Sequence, residues 1–105
     1  MQRTYIKDLG LEIEKEVLIK GWVSVRRDQG KMIFFDFRDA TGLVQGVVLP
    51  ASLAMDTAKE TRTEWVVAVT GKVNKRPERN IKEGVLNGDI ELEVGFILEA
   101  LEEEL

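Results

Sequence analysis

The 105-residue sequence predicts an all-β fold, built as a small barrel of five strands. Stretches of alternating apolar and polar side chains recur along the chain, as in strands that bury one face. Segments rich in Gly, Asp and Asn separate them and predict turns. One stretch in the middle has helical spacing instead. The order strand, strand, strand, helix, strand, strand suits the five-stranded OB-fold barrel. Other folds share this order, but a barrel closes the sheet edges best.

The first strand is predicted over residues 16–27, EVLIKGWVSVRR. Alternation places a row of mixed polar and apolar side chains, including Trp22 and Arg26, on one face. The other face is apolar and carries Val17, Ile19, Val23 and Val25. Gly21 lies between them and indicates a bend, as the corner of a small barrel requires.

Two turns lead from this strand through a meander. The sequence DQGK (28–31) predicts the first turn and DATG (39–42) the second. Between them KMIFFDFRD (31–39) forms the second strand, and LVQGVVL (43–49) forms the third.

The second half of the chain begins with the only helical pattern. Residues 50–64 place Leu53, Ala54, Thr57, Ala58 and Thr61 at helical spacing, with Ser52 as the predicted cap. Strand composition returns at 64–73, and a basic loop follows at 74–88. The fifth strand is predicted at 89–98, with Ile90, Leu92 and Val94 inward and Asp89, Glu91 and Glu93 outward. The N-terminal YIKDLG is expected to pack as a helical turn on one end of the barrel.

The composition argues against disulfide-bonded, zinc-binding, membrane-spanning and secreted proteins. The length suits a single domain spanning residues 1–105, and there is no Cys or His to form a disulfide, a common zinc site or a histidine catalyst. No apolar run is long enough to span a membrane, and the N-terminus lacks the apolar segment of a signal peptide. We therefore expect a cytoplasmic protein without a cofactor or metal.

Basic side chains are concentrated in two interior segments, although the net charge is −4. Residues 20–38 hold five Lys or Arg against two acids, and residues 72–82 hold five against one. From residue 83 to the end there are eight acids and no base. Runs of charged residues often do no more than form a solvent-exposed surface, but two positive segments also suit a nucleic-acid partner.

A phenylalanine lies on the polar face of the second strand. Since Ile33, Phe35 and Phe37 share the opposite face, Phe34 stands in a row with Asp36 and Arg38. The ring is either buried under the helix or a loop, or exposed to stack on an unpaired base. OB barrels bind single strands on this face, between the loops that follow strands 1 and 4. Both loops are basic here, which favours stacking.

Three polar residues near that face are candidates for RNA contacts. Gln45 interrupts an apolar strand and carries both a donor and an acceptor, as recognition of a base edge requires. Arg27 is placed for a phosphate or a base edge, and Glu91 for an exocyclic amino group. Ordinary solvation explains each of them as well. An enzyme is disfavoured, because the sequence shows no phosphate-binding glycine loop and no convincing nucleophile–base pair.

A resemblance to a known family covers about residues 3–95. The segment GWVSVRRDQGKMIFFDFRDATGLVQ (21–45) resembles G-W-V-x-x-R-R-D-x-G-x-x-I-F-x-D-x-R-D-x-x-G-x-V-Q, from the N-terminal anticodon-binding OB-fold domain of bacterial aspartyl-tRNA synthetases, of class IIb. The segments RTYIKDL, RTEWVVAVTGKV and RPERNIKEGVLNGDIEL are similar to the same domain. Lysyl- and asparaginyl-tRNA synthetases share a looser form of the motif.

The resemblance implies a tRNA partner of the aspartate type, bound through its anticodon stem-loop. By position, Phe34 would stack on the central uracil, Gln45 would hydrogen-bond it, and Arg27 would contact the stem-loop nearby. Glu91 would lie near the first anticodon base, a guanine. The remaining matched residues would lie near the anticodon backbone or third base; they are Arg62, Arg76 and Asn80.

Three departures leave alternatives open. The catalytic domain of the family has no counterpart here, so the isolated chain is not expected to be an enzyme. Gly46 replaces a usually β-branched residue and is expected to loosen its strand. The acidic end, 99–105, is expected to be a short helix or a designed terminus. The chain is then an excised domain or stand-alone relative, a general single-stranded nucleic-acid-binding domain, or an engineered or reconstructed scaffold that no longer binds RNA.

Overall fold

Five strands close into a barrel in the computed structural model, which describes residues 1–102 and 105. The strands follow one another around the barrel in the order β1, β2, β3, β5, β4, and β4 pairs again with β1. Neighbours are antiparallel except β3 and β5, which are parallel. The strands are β1 (Glu16–Gln29), β2 (Met32–Asp39), β3 (Gly42–Val48), β4 (Val66–Lys75) and β5 (Ile90–Glu99), with helix α1 (Met55–Glu60) between β3 and β4. The predicted five-stranded OB barrel is confirmed.

The long first strand closes the barrel by changing partners. It pairs with β4 through residues 16–22 and with β2 through residues 22–29. Gly21 lies at the change of partner, where the carbonyl oxygen of Arg38 occupies the space that a Cβ would need. A side chain there would push the two strands apart, so glycine is required.

A β-bulge in β1 changes which side chains face outward. The register with β2 shifts between Val23, opposite Phe37, and Val25, opposite Asp36. The prediction of Val25 as a core residue is wrong, since the residue is 36% exposed. The extra residue of a bulge reverses the alternation beyond it. Arg27 consequently lies opposite Phe34 on the outer face.

The inward faces of β2 and β5 form the core as predicted. Ile33, Phe35 and Phe37 are 4%, 0% and 0% exposed, and Ile90, Leu92 and Val94 are buried with them. A Cβ built on Gly46 would lie only 2.5 Å from Cε2 of Phe37. The ring of Phe37 thus fills the space left by the glycine, and the expected loosening of β3 finds no support.

The helix is shorter than the predicted 50–64, and it begins without the predicted serine cap. Ser52 does not cap it: its hydroxyl accepts the Ala54 N–H and donates to the Val94 carbonyl, both at 3.0 Å. This segment is therefore held as a turn against β5, and Leu53 is left 90% exposed. Ala54, Ala58 and Thr61 are the residues of the predicted helical face that are buried.

The expected N-terminal turn is a 3₁₀ helix, Ile6–Leu11, with Ile6 and Leu9 buried against the barrel. Asp39 Oδ2 accepts the Ile6 N–H at 2.9 Å. Asn87, only 7% exposed, donates to the carbonyls of Ile6 and Leu43 at 3.0 and 3.1 Å. These bonds attach the loop before β5 to the end of the barrel.

The predicted acidic terminus is only partly described. Glu99 is the last residue of β5. Residues 103 and 104 lie outside the described residues, and the expected helix or designed terminus falls largely on them. Among the described residues, no helix has the length and apolar character needed to cross a membrane.

Candidate nucleic-acid interface

A groove of about 320 Å³ opens on the outer face of β1, β2 and β3 and is bordered by the loop between β4 and β5. Five of the seven residues predicted for RNA contact line it, together with two that were not predicted. The predicted residues are Arg27, Phe34, Gln45, Arg76 and Asn80. The two additional ones are Gln29 and Lys82.

Strand pairing accounts for the first part of this arrangement. On β2 the side chains alternate, so Phe34 is half-buried on the outer face while its neighbours Ile33 and Phe35 are buried. Across the sheet, Phe34 lies opposite Arg27 of β1, and Asp36 lies opposite Gln45 of β3. The bulge in β1 is what brings Arg27 to this face, because unbroken alternation would have turned it inward.

A chain of polar contacts runs across four strands beside Phe34. Asp36 Oδ2 lies 3.6 Å from Arg27 Nη1, and Arg27 Nη2 donates to Gln45 Oε1 at 3.2 Å. Gln45 Nε2 then donates to Glu91 Oε2 at 3.4 Å. Glu91 is the sixth predicted residue, and it joins the groove through Gln45 rather than by lining it. We refer to Asp36, Arg27, Gln45 and Glu91 as the polar chain.

The loop between β4 and β5 supplies the basic edge of the groove. Arg76 Nε donates to the carbonyl of Ile90 at 2.8 Å, and its Nη1 donates to that of Asn80 at 3.4 Å. Arg76 therefore shapes the loop, including the short 3₁₀ helix Glu78–Asn80, as well as carrying charge. Lys82 is exposed at the same edge.

Arg62, the seventh predicted residue, is not brought to the groove. It is exposed after α1, and its Nη1 donates to the carbonyl of Lys59 at 2.9 Å. Its charge acts instead on Asp28. A hydrogen bond from Arg26 is the main cause that lowers the pKa of Asp28, and the charges of Arg26 and Arg62 lower it further.

Not every basic residue of the first positive segment is available to RNA. Arg26 forms two bonds to the Asp28 carboxylate and donates to the carbonyls of Lys59 and Thr61 at the end of α1. Arg38 forms two bonds with Glu64, which lower the pKa of that carboxyl. Both guanidiniums are therefore neutralised by carboxylates that stay ionised at neutral pH.

Sequence reasoning missed two residues of the groove. The sequence pattern places Gln29 in a turn, but β1 continues to Gln29, and the turn is confined to Gly30 and Lys31. Lys82 belongs to the predicted basic loop, where nothing in the sequence distinguishes it from the neighbouring cations. Only the bonds that shape the loop show which cation faces the groove.

The arrangement is suited to binding rather than to bond-breaking chemistry. It combines an aromatic ring, an amide with donor and acceptor atoms, and cations at the border, which are the elements of single-strand recognition. In residues 1–102 and Leu105, no group of acidic side chains is placed to hold a metal ion. Fold and groove together define the class: a nucleic-acid-binding OB barrel.

Comparison with known proteins identifies the family. Residues 17–99 match the family model of the tRNA anticodon type, described as an OB-fold nucleic acid binding domain. The chain therefore belongs to this family of anticodon-binding OB-fold domains, as found in aspartyl- and asparaginyl-tRNA synthetases.

Relatives and solved structures agree on this family. An aspartate–tRNA(Asp/Asn) ligase of Halothermothrix orenii is 47% identical over 83 residues, which are 77% of this chain and 14% of the ligase. An aspartyl-tRNA synthetase from Leishmania major superposes with a TM-score of 0.78 at 28% identity, over 95% of this chain and 21% of that one. Asparaginyl-tRNA synthetase from Pyrococcus horikoshii gives 0.75 at 28% identity, over 98% and 24%. The chain thus spans only a small part of these ligases, and their catalytic domain is not among its 105 residues.

Proposed function

We propose that the groove binds the anticodon loop of a tRNA of the aspartate type, with uracil at the centre of the anticodon. The observation that carries the proposal is the convergence on one groove of five residues predicted to contact RNA, which come from three strands and from the loop between β4 and β5. The partner implies action in the cytoplasm, as part of a ligase or as a separate module.

Each residue has a role that its position supports. Phe34 offers a half-buried ring for stacking on the central base, which is worth about 1–3 kcal/mol in single-strand binding. Gln45 faces the edge of that base. Arg27 and Lys82 attract phosphates, and Arg76 with Asn80 shapes the border along which the strand passes. Glu91 lies nearest the first anticodon base, and a backbone contact by Arg62 remains a prediction of the sequence.

The test is a fluorescence binding titration of the purified chain with an RNA stem-loop whose anticodon is guanine, uracil, cytosine. A stem-loop of the same composition with a shuffled loop is the control. We expect saturable binding to the first and a large loss with the second. Equal binding to both would indicate a general single-strand binder, and binding to neither would indicate a barrel that serves as a scaffold.

A further inference from the structure

The amide of Gln45 lies between one group that can only donate and one that can only accept. The guanidinium of Arg27 donates to Oε1, and the carboxylate of Glu91 accepts from Nε2. Guanidinium has no acceptor, and an ionised carboxylate has no donor. Turning the amide by half a turn would set donor against donor and acceptor against acceptor. The amide therefore has one favoured orientation.

That orientation matters because a glutamine amide has nearly the same shape both ways round. In one orientation it accepts the N3–H of uracil and donates to the neighbouring carbonyl oxygen. Turned over, it donates to N3 of cytosine and accepts from the amino group. An amide that turns freely would therefore bind either pyrimidine, and glutamine alone does not explain a preference for uracil.

We propose that Arg27 and Glu91 restrain the Gln45 amide in the orientation that accepts uracil and rejects cytosine, and that Asp36 is a positioning residue for Arg27. The inference rests on the proposed function of the groove. It makes specificity a property of the polar chain rather than of Gln45 alone, because the turned amide would face unpaired donors and acceptors.

Asp36 acts through charge rather than through a close hydrogen bond. Its Oδ2 lies 3.6 Å from Arg27 Nη1, and the two side chains are 21% and 38% exposed. Strand pairing places Asp36 directly opposite Gln45, so the carboxylate holds Arg27 beside the amide it must contact. Since such a half-exposed pair is weak, removing its charge should have a smaller effect than changing Glu91.

The experiment compares stem-loops with central uracil or cytosine, each against wild type and single variants. Gln45→Ala should lose about 5- to 30-fold in affinity for the uracil loop and change little for the cytosine loop. Glu91→Gln should lower the uracil-to-cytosine ratio about five- to tenfold, because the amide can then turn and cytosine binding improves. Asp36→Asn should lower the ratio about two- to fourfold.

A matched control and a conservative variant separate this role from general damage. Glu64→Gln removes the charge of a carboxylate that pairs with Arg38 at 3.0 Å outside the groove, and it should leave the ratio unchanged. Asp36→Glu keeps the charge and should keep most of the ratio. Glu91→Gln and Asp36→Asn variants that weaken both loops alike, or leave the ratio at its wild-type value, would overturn the proposal.

A measurement on the free protein keeps this inference distinct from the proposed function. The side-chain N–H₂ resonances of Gln45 should shift in Glu91→Gln and Asp36→Asn but not in Glu64→Gln. If wild type bound neither loop, the proposed function would fail, and these resonances would still test the restraint. Gln45 signals that are insensitive to Glu91→Gln would show that the amide is not held.

Discussion

At the scale of single residues, Phe34 shows how a local pattern defines a binding surface. Its neighbours in sequence, Ile33 and Phe35, belong to the core, while its own ring is half-buried over the groove. The residues that stabilise the barrel and the residue proposed to bind RNA therefore alternate along one strand. The two functions can be separated by mutation.

We expect Phe34→Ala to weaken binding of every anticodon loop by about 1–3 kcal/mol, because any base can stack on the ring. Binding to uracil-centred and cytosine-centred loops, alongside a thermal unfolding curve, checks this. Phe37→Ala, which leaves a large cavity in the core, is the contrasting variant and should unfold the domain. If Phe34→Ala also unfolded it, Phe34 would belong to the core rather than to the interface.

At the scale of elements, the sequence predicted strand faces well and failed where one residue breaks the alternation. The face of β2 follows from its pattern, and so does that of β5 as far as Val94. Beyond Val94 the register of β5 with β4 shifts, which leaves Phe96 50% exposed and buries Ile97. In β1 the bulge after Val23 could not be predicted, because no residue there has a bulge signature such as glycine. The bulge lies just beyond Trp22, where β1 changes partners, and only the closed barrel shows that change.

The helix illustrates the same limit. Its spacing predicted a helix in this segment, but not the place where the helix begins or that Leu53, at the same spacing as the buried Ala54 and Ala58, would be exposed. The bond from Ser52 to the Val94 carbonyl holds the preceding residues as a turn, and it joins segments 42 positions apart. A long-range contact of this kind overrides local capping preference and leaves no trace in the local sequence.

Packing between β2 and β3 gives a test at this scale. A Cβ on Gly46 would collide with the Phe37 ring, so Gly46→Ala should destabilise the barrel by about 1–3 kcal/mol in urea unfolding. Gly10→Ala is the control, since a Cβ there meets nothing within 4 Å, and its effect should be within about 0.5 kcal/mol. A Gly46→Ala variant as stable as wild type would show that β3 is indeed loosely packed.

At the scale of the whole molecule, charge is arranged by the fold rather than by the sequence alone. The chain is acidic overall, yet Arg27, Arg76 and Lys82 meet at one groove. Arg27 keeps a looser pair with Asp36 at 3.6 Å beside the groove, whereas Arg26 and Arg38 form shorter pairs, at 2.8 and 3.0 Å, with acids that do not line it. The sequence predicted that a positive surface exists, but only tertiary pairing shows which cations remain to face RNA.

The salt dependence of RNA affinity measures how many of these cations contact phosphates. With about 3–5 phosphate contacts on a single strand, the logarithm of affinity should fall against the logarithm of salt with a slope of about −2 to −3.5. Lys82→Ala should reduce the magnitude of the slope by about 0.7. Lys72→Ala is the control from the same basic segment, because its ammonium pairs with Glu14 at 3.1 Å. A slope unchanged in Lys82→Ala, or equally reduced in both, would show that the loop does not face the RNA.

The proposal that the groove is the RNA interface is tested most directly by a ¹H–¹⁵N NMR titration. The anticodon stem-loop with guanine, uracil, cytosine is added to the labelled protein, and the residues whose signals shift map the contact. We expect the largest shift changes at the groove, in the signals of Arg27, Phe34, Gln45 and Asn80. The exposed residues Phe96 and Leu98 on β5, which do not line the groove, should be unaffected. Shift changes centred on Phe96 and Leu98, with the groove signals unmoved, would contradict it.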